Sequence, residues 1–246
     1  MPNKPAEFPQ LWFARVEDAS LQTEEAGKSL LSISEYKRFK LIKSPLKQRQ
    51  YLLSRWLIRH ALSNAYKQPM DFWNIEETTG SFPVVHNLPV KTYLSLSHSH
   101  DRVIVAISDT AIGVDIEKMV KRKNIAAMAE LFMSSLELAL FQQHVTPALY
   151  FYQTWCVKEA YFKSLPTLDQ QNISLQKIDT SQICADKSNT KAIKFRLAEF
   201  MIAIYSEKRL GDITCFAITK NVQSDLTLLT GNQTDRLKIH YDEIIR

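Results

Sequence analysis

The stretch YLSLSHSHDRVIVAISDTAIGVDIEK, residues 93–118, decides how the chain is organised. YLSLS (93–97) and RVIVAIS (102–108) read as two strands, and HSHD between them is a tight-turn signal. AIGVDIEK (111–118) is a third strand, and with it a second series of elements opens. Upstream of the hairpin lie a strand, LWFARVE (11–17), and basic helical sequence from about Ser34 to Tyr66 that contains KQRQYLLSRWLIRHALSNAYK. TTGSFPVVHNLP (78–89), punctuated by Gly and Pro, reads as loop. Downstream, 124–165 is helical, and AEFMIAIYS (198–206) with DITCFAIT (212–219) reads as a second hairpin across EKRLG. Strand, helices and hairpin therefore occur twice. The expected architecture is α+β, a pseudo-dimer of two similar halves, residues 1–110 and 111–246, each a small antiparallel sheet packed on helices. The chemistry is expected where the halves meet, since ligands commonly bind between domains. The tail NQTDRLKIHYDEIIR (232–246) is polar and reads as either docked or frayed.

Bulk composition narrows the function classes. The 246 residues carry a net charge of +5, an excess that attracts anions. The basic residues are spread along the chain, with KRK (121–123) as one dense cluster and without a nucleic-acid-binding pattern, so a small anionic substrate is preferred to nucleic acid. Three cysteines without CxxC spacing argue against a disulfide framework or a zinc site. The opening MPNKPAEFPQ has no apolar segment of a secretory signal, and FMIAIY (200–205) is too short to span a bilayer. A cytoplasmic protein without membrane partners is expected. Only five glycines are present, and none forms a phosphate-cradling loop, so side chains and a metal would have to carry any phosphate.

Four groups of residues could do chemistry. In IGVDIEK (112–118), Ile112, Val114 and Ile116 share one face of the strand, and Gly113, Asp115 and Glu117 the other. Two carboxylates on one face suit a hard cation such as Mg²⁺, with Gly113 leaving room for a ligand; taken alone, the pattern favours an edge strand with a solvated face. Ser97 and His98 are placed at the hairpin tip, where a hydroxyl and an imidazole can meet phosphate, or where a hydrophilic turn needs no function. In FYQTWCVKEAYFKS (151–164), Tyr152, Trp155, Glu159 and Phe162 share a helix face. Glu159 and Lys163 are also a helix-stabilising i, i+4 pair, but a carboxylate among aromatics is partly desolvated and calls for a metal or a cation. Lys158 stands one position round. Arg49, Arg55 and Arg59 recur in an apolar frame, either as snorkelling surface arginines or as ligands for a phosphate monoester.

The order SHS, then GVDIE, then WxxKEAxxK resembles the 4′-phosphopantetheinyl transferases, in the two-half form typified by surfactin-synthetase-activating enzymes. The resemblance runs from about Ser34 to Ser164 and includes RQYLLSRWLIRHALS and FMSSLE (132–137). It implies transfer of 4′-phosphopantetheine from coenzyme A to a serine of an apo carrier protein, with release of adenosine 3′,5′-bisphosphate. It implies Mg²⁺, with Mn²⁺ as an alternative, on Asp115, Glu117 and Glu159. Ser97, His98, Lys158 and Lys163 would hold phosphate oxygens, and Arg49 would lie near the 3′-phosphate. Glu159 is the implied general base, with Glu137 as its substitute. Acidic carrier proteins of fatty-acid, polyketide or nonribosomal peptide synthases are the implied partners, and two fused halves would let a monomer suffice. A non-catalytic carrier-binding homologue and a Mg²⁺-dependent phosphoesterase are the rival readings. The chain departs from the family at Gly80-Ser81-Phe82-Pro83, where Gly-Lys-Pro or Gly-Arg-Pro is usual, with Lys91 a candidate substitute. It departs again at His100, where Gly is common.

Overall fold

The computed structural model describes residues 8–17, 28–77, 82–184, 191–219, 228–229 and 237–243. Along the chain run β1 (Gln10–Arg15), α1 (Ile33–Leu41), α2 (Pro45–Tyr66), β2 (Ile75–Glu76), β3 (Val84–Val85), β4 (Tyr93–Ser99) and β5 (Arg102–Ser108). Then follow β6 (Ile112–Lys118), α3 (Ile125–Glu130), α4 (Ser135–Gln143), α5 (Pro147–Ser164), α6 (Thr167–Gln170) and α7 (Thr180–Cys184). The last strands are β7 (Ala192–Leu197), β8 (Phe200–Ser206), β9 (Ile213–Thr219), β10 (Leu228–Leu229) and β11 (Leu237–Glu243). The fold is α+β, and among the described residues no helix is long and apolar enough to cross a membrane.

Two compact units result: Met1–Asp109 with Ile213–Val222 and Leu237–Arg246, and Thr110–Asp212 with Gln223–Arg236. The first is built on a five-stranded sheet in the order β11-β9-β1-β5-β4. Its core forms where α2 lays Leu53, Leu57, Ile58, Ala61 and Leu62 against one face of the sheet, from which Trp12, Ala14, Val103, Val105 and Ile107 project. The alternation of these strand residues is the period-2 pattern read in the sequence. The second unit has a four-stranded sheet, β10-β7-β8-β6, with α5 packed across it through Phe151, Tyr152, Cys156, Val157 and Ala160.

The hairpin expected between 198–206 and 212–219 does not form. β8 is already paired on both edges, with β7 across a turn at Ala198 and Glu199 and with β6 on the other side. β9 therefore finds its partners in the first unit, running parallel to β1 and to β11. Of the two readings of the C-terminal stretch, the docked one holds over Leu237–Glu243, which is the edge strand beside β9. These pairings place Ile213–Thr219 and Leu237–Glu243 in the sheet of the first unit.

Arg55 and Arg59 of α2 are not snorkelling. Ser32 caps α1 with a reciprocal box: its hydroxyl accepts from the Glu35 amide, and the Glu35 carboxylate accepts from the Ser32 amide at 2.8 Å. That carboxylate is fully buried and also accepts from Arg59, whose Nη2 lies 2.7 Å away. Arg55 Nε donates to Glu77 at 2.7 Å and lies 3.6 Å from Glu35. Buried guanidinium and carboxylate stabilise each other because leaving either alone in a dry interior is costly. Arg55 and Arg59 are thereby spent on the fold and unavailable to phosphate. Glu35→Ala should lower the unfolding free energy by about 3–5 kcal/mol in denaturant melts, since it strands the Arg59 charge. A loss below about 1 kcal/mol, the range of an exposed pair, would contradict this role.

Candidate functional site

The second unit assembles an acidic site from β6 and α5. Gly113 is the reason the two elements come so close: a Cβ built there would lie 1.8 Å from the Ala160 carbonyl oxygen and 2.8 Å from the Ser164 amide. The space beside Asp115 that the sequence suggested for a ligand is filled by the backbone of α5. The helix thus lies over the Gly113 side of the strand, and Lys163 Nζ donates to Asp115 Oδ1 at 2.6 Å. Asp115 is buried, whereas Glu117, Glu159 and Lys163 are half-buried. Burial raises the Glu159 carboxyl above its ordinary value; Lys163 pulls it back and the charge of Asp115 pushes it further up. The Cys156 thiol, buried behind the acids, is raised by burial and by the charges of Asp115 and Glu117.

These influences place Asp115, Glu117, Glu159 and Lys163 in one electrostatic neighbourhood. Among the described residues, however, no three His, Cys, Asp or Glu side chains are grouped closely enough to hold a metal ion by themselves. The donors are all carboxylate oxygens, the chemistry that suits a hard cation. The Glu159 carboxyl is raised chiefly by burial, which leaves a partly desolvated acid that a cation would stabilise. An ion on these residues would have to draw further oxygens from a ligand.

Lys158 and Glu137 lie elsewhere. Lys158 is fully buried; its ammonium donates to the carbonyls of Phe132 and Leu175, each at 2.9 Å, and pairs with Glu137 Oε2 at 2.6 Å. All three ammonium donors are used. Glu137 is the N3 residue of the Ser134 capping box of α4, and its other oxygen accepts from the Thr180 hydroxyl at 2.5 Å. A buried, fully coordinated lysine cannot turn to a phosphate without abandoning this network, and Glu137 has no open oxygen with which to take a proton. Both leave the candidate site. The sequence signal for this was present in FMSSLE, whose S-x-x-E spacing is a capping box.

The remaining candidates belong to the first unit. Ser97 and His98 lie on β4, the edge strand, and not at the hairpin tip: Ser97 is buried and His98 exposed. The turn itself is His100 and Asp101. His100 has φ 54°, in the left-handed region that favours glycine, which gives its departure from the family a local backbone cost. The turn is held by Val16, whose amide donates to the Asp101 carbonyl at 2.9 Å, and by Gln50, whose amide donates to the His100 carbonyl. Gln50 thus ties the start of α2, where Arg49 is exposed, to the turn beside Ser97 and His98. Lys91 is exposed and lies over the Tyr93 ring at 5.1 Å. Gly80 and Ser81 are outside the described residues, so the loop departure is not placed.

Residues 111–219, which carry β6, α5 and the acidic site, match the 4′-phosphopantetheinyl transferase superfamily. This segment belongs to the superfamily. Psf-1 of Bacillus pumilus, a 4′-phosphopantetheinyl transferase, is 36% identical over 117 residues, 47% of this chain and 49% of the relative. The 4′-phosphopantetheinyl transferase ffp of Bacillus subtilis is 32% identical over 151 residues, 59% of this chain and 66% of the relative. Sfp of Bacillus subtilis strain 168 is 31% identical over 153 residues, again 59% of this chain and 66% of the relative. The chain thus spans between 49% and 66% of the length of these relatives.

Two measurements check the assignments within the second unit. Lys158→Met should cost about 3–5 kcal/mol of stability by isolating the Glu137 charge, and adding Glu137→Gln should recover part of the loss. Additive losses would contradict the pairing. Glu159 carries the opposite sign. A carboxyl raised in the folded state binds more protons folded than unfolded, so its contribution falls as pH rises from the unfolded value through the folded one. In metal-free buffer, Glu159→Gln should melt higher than the parent above that window, and the gain should vanish below it.

Proposed function

We propose that this chain is a Mg²⁺-dependent 4′-phosphopantetheinyl transferase that modifies a serine of an apo acyl or peptidyl carrier protein at the expense of coenzyme A. The observation that carries this reading is the Asp115–Lys163 pair at 2.6 Å beside a half-buried Glu159, within the segment that matches the superfamily. Serine oxygen bonds to the β-phosphorus of coenzyme A as the bond from that phosphorus to its bridging oxygen breaks. Adenosine 3′,5′-bisphosphate leaves with the electron pair. Glu159 is the proposed general base for the serine proton.

Asp115, Glu117 and Glu159 would hold Mg²⁺, or alternatively Mn²⁺, and the ion would supply positive charge to the diphosphate. Lys163 serves the same end with an ammonium already fixed on Asp115. Arg49, Ser97 and His98 are the proposed coenzyme A contacts of the first unit. Lys158 and Glu137 take no part.

The two halves read as tandem copies. β1-α1-α2-β4-β5 and β6-α4-α5-β7-β8 share element order, and β4-β5-β1 and β7-β8-β6 share sheet order. Ser32, Glu35 and Pro45 recur 102 positions later as Ser134, Glu137 and Pro147. A monomer in the cytoplasm then suffices for the reaction, and the buried, unpaired thiols Cys156 and Cys215 are consistent with a reducing compartment.

Incubation with coenzyme A, Mg²⁺ and an apo carrier should add the phosphopantetheine mass to the carrier serine. Asp115→Asn should reduce turnover by about a hundredfold or more, with the fold retained. Failure of the parent protein to modify any fatty-acid, polyketide or peptidyl carrier would overturn the transferase reading. Undiminished turnover in Asp115→Asn would remove the acid site from it.

A further inference from the structure

The charge of this chain is not evenly placed. Residues 28–49 contain seven basic side chains, Lys28, Lys37, Arg38, Lys40, Lys43, Lys47 and Arg49, and a single acid, Glu35. The remaining 224 residues hold 24 Lys or Arg and 25 Asp or Glu, so this segment accounts for more than the whole net positive charge. All seven cations are exposed, while Glu35 is fully buried against Arg59. The surface of α1 and the start of α2 therefore presents positive charge undiluted by any acid of its own segment.

The outer face of α1 also carries apolar residues. Ile33, Tyr36, Lys37, Lys40 and Leu41 follow the i, i+3, i+4, i+7, i+8 spacing of one helix face. Ile33 is 78% exposed, Leu41 72% and Tyr36 44%, and Leu46 at the start of α2 is 46% exposed. Lys40 lies over the Tyr36 ring at 5.3 Å. Such a face normally turns inward; here the inward position is taken by Glu35, which anchors α1 to α2 through Arg59 and Arg55. The result is an apolar strip in a cationic surround, held rigid by a buried ion pair.

Building on the transferase reading above, we infer that this face of α1 is where the acidic apo carrier protein docks. Apolar anchors with a charged rim are the anatomy of a protein interface, and the like-signed rim selects a partner of opposite charge. A helix of only nine residues offers little area for insertion into lipid, but a fixed platform lowers the ordering cost of binding another protein. The cations steer the encounter, and Ile33 and Leu41 supply the buried contacts.

The test uses the full-length protein with apo forms of a fatty-acid, a polyketide and a peptidyl carrier, following binding by fluorescence anisotropy and transfer by mass spectrometry. Lys37→Glu with Lys40→Glu should raise Kd and KM for the carrier by about tenfold or more, and should flatten the salt dependence of Kd. Ile33→Ser with Leu41→Ser should weaken the carrier while leaving the salt dependence intact. KM for coenzyme A and kcat at saturating carrier should not change in either variant. Four outcomes would overturn the inference: an unaltered carrier KM, a rise confined to the coenzyme A KM, a loss of binding to phosphatidylglycerol vesicles with carrier binding intact, or no carrier binding by the parent. Parent protein that transfers normally beside variants that keep their carrier KM refutes the docking face alone. A parent protein that neither binds nor modifies any carrier refutes both readings.

Discussion

One arrangement, used twice, holds the helices of this protein in place: a glutamate that caps a short helix is buried on a cation belonging to the long helix that follows. In the first unit Glu35 caps α1 and meets Arg59; in the second, Glu137 caps α4 and meets Lys158. Each carboxylate satisfies the amide of its capping serine and neutralises a charge that would otherwise be stranded in the core. Because the interior excludes water, neither member can leave without its partner. Each pair therefore constrains the long helix to one rotation about its axis.

That constraint decides which side chains of α5 can do chemistry. Lys158 and Glu159 are neighbours in sequence, but successive residues on a helix point about 100° apart. With Lys158 turned onto Glu137 and the carbonyls of Phe132 and Leu175, Glu159 and Lys163 are turned toward β6 and Asp115. Gly113 fixes the same relation from the strand side, since any side chain there would collide with the backbone of α5. Lys163 donates to Asp115, while burial leaves Glu159 more basic than a surface carboxylate. The acid site is in this sense a by-product of core packing.

The same burial explains where the surface charge went. Arg55 and Arg59 are consumed by Glu35 and Glu77, so the basic helix contributes less positive surface than its sequence suggests. The positive surface lies instead on α1 and the start of α2, where the only acid of the segment has been withdrawn into the core. An apolar strip is left exposed among those cations.

The sequence by itself determined the elements and much of the acid site. The alternation in YLSLS and RVIVAIS, the helical rhythm of 151–164, and the placement of Asp115 beside Glu117 on a strand all follow from local periodicity, which backbone geometry enforces within a few residues. Only the tertiary structure decided which strand pairs with 213–219, because β8 is equally apolar but both of its edges were already occupied. Only the tertiary structure decided that Lys158 and Glu137 are buried while Lys163 reaches Asp115. Periodicity ranks the faces of a helix by hydrophobicity, and by that measure a lysine belongs outside. The competing term is a carboxylate 21 positions earlier in the chain, arriving from another helix, whose charge makes the core the better place for that lysine.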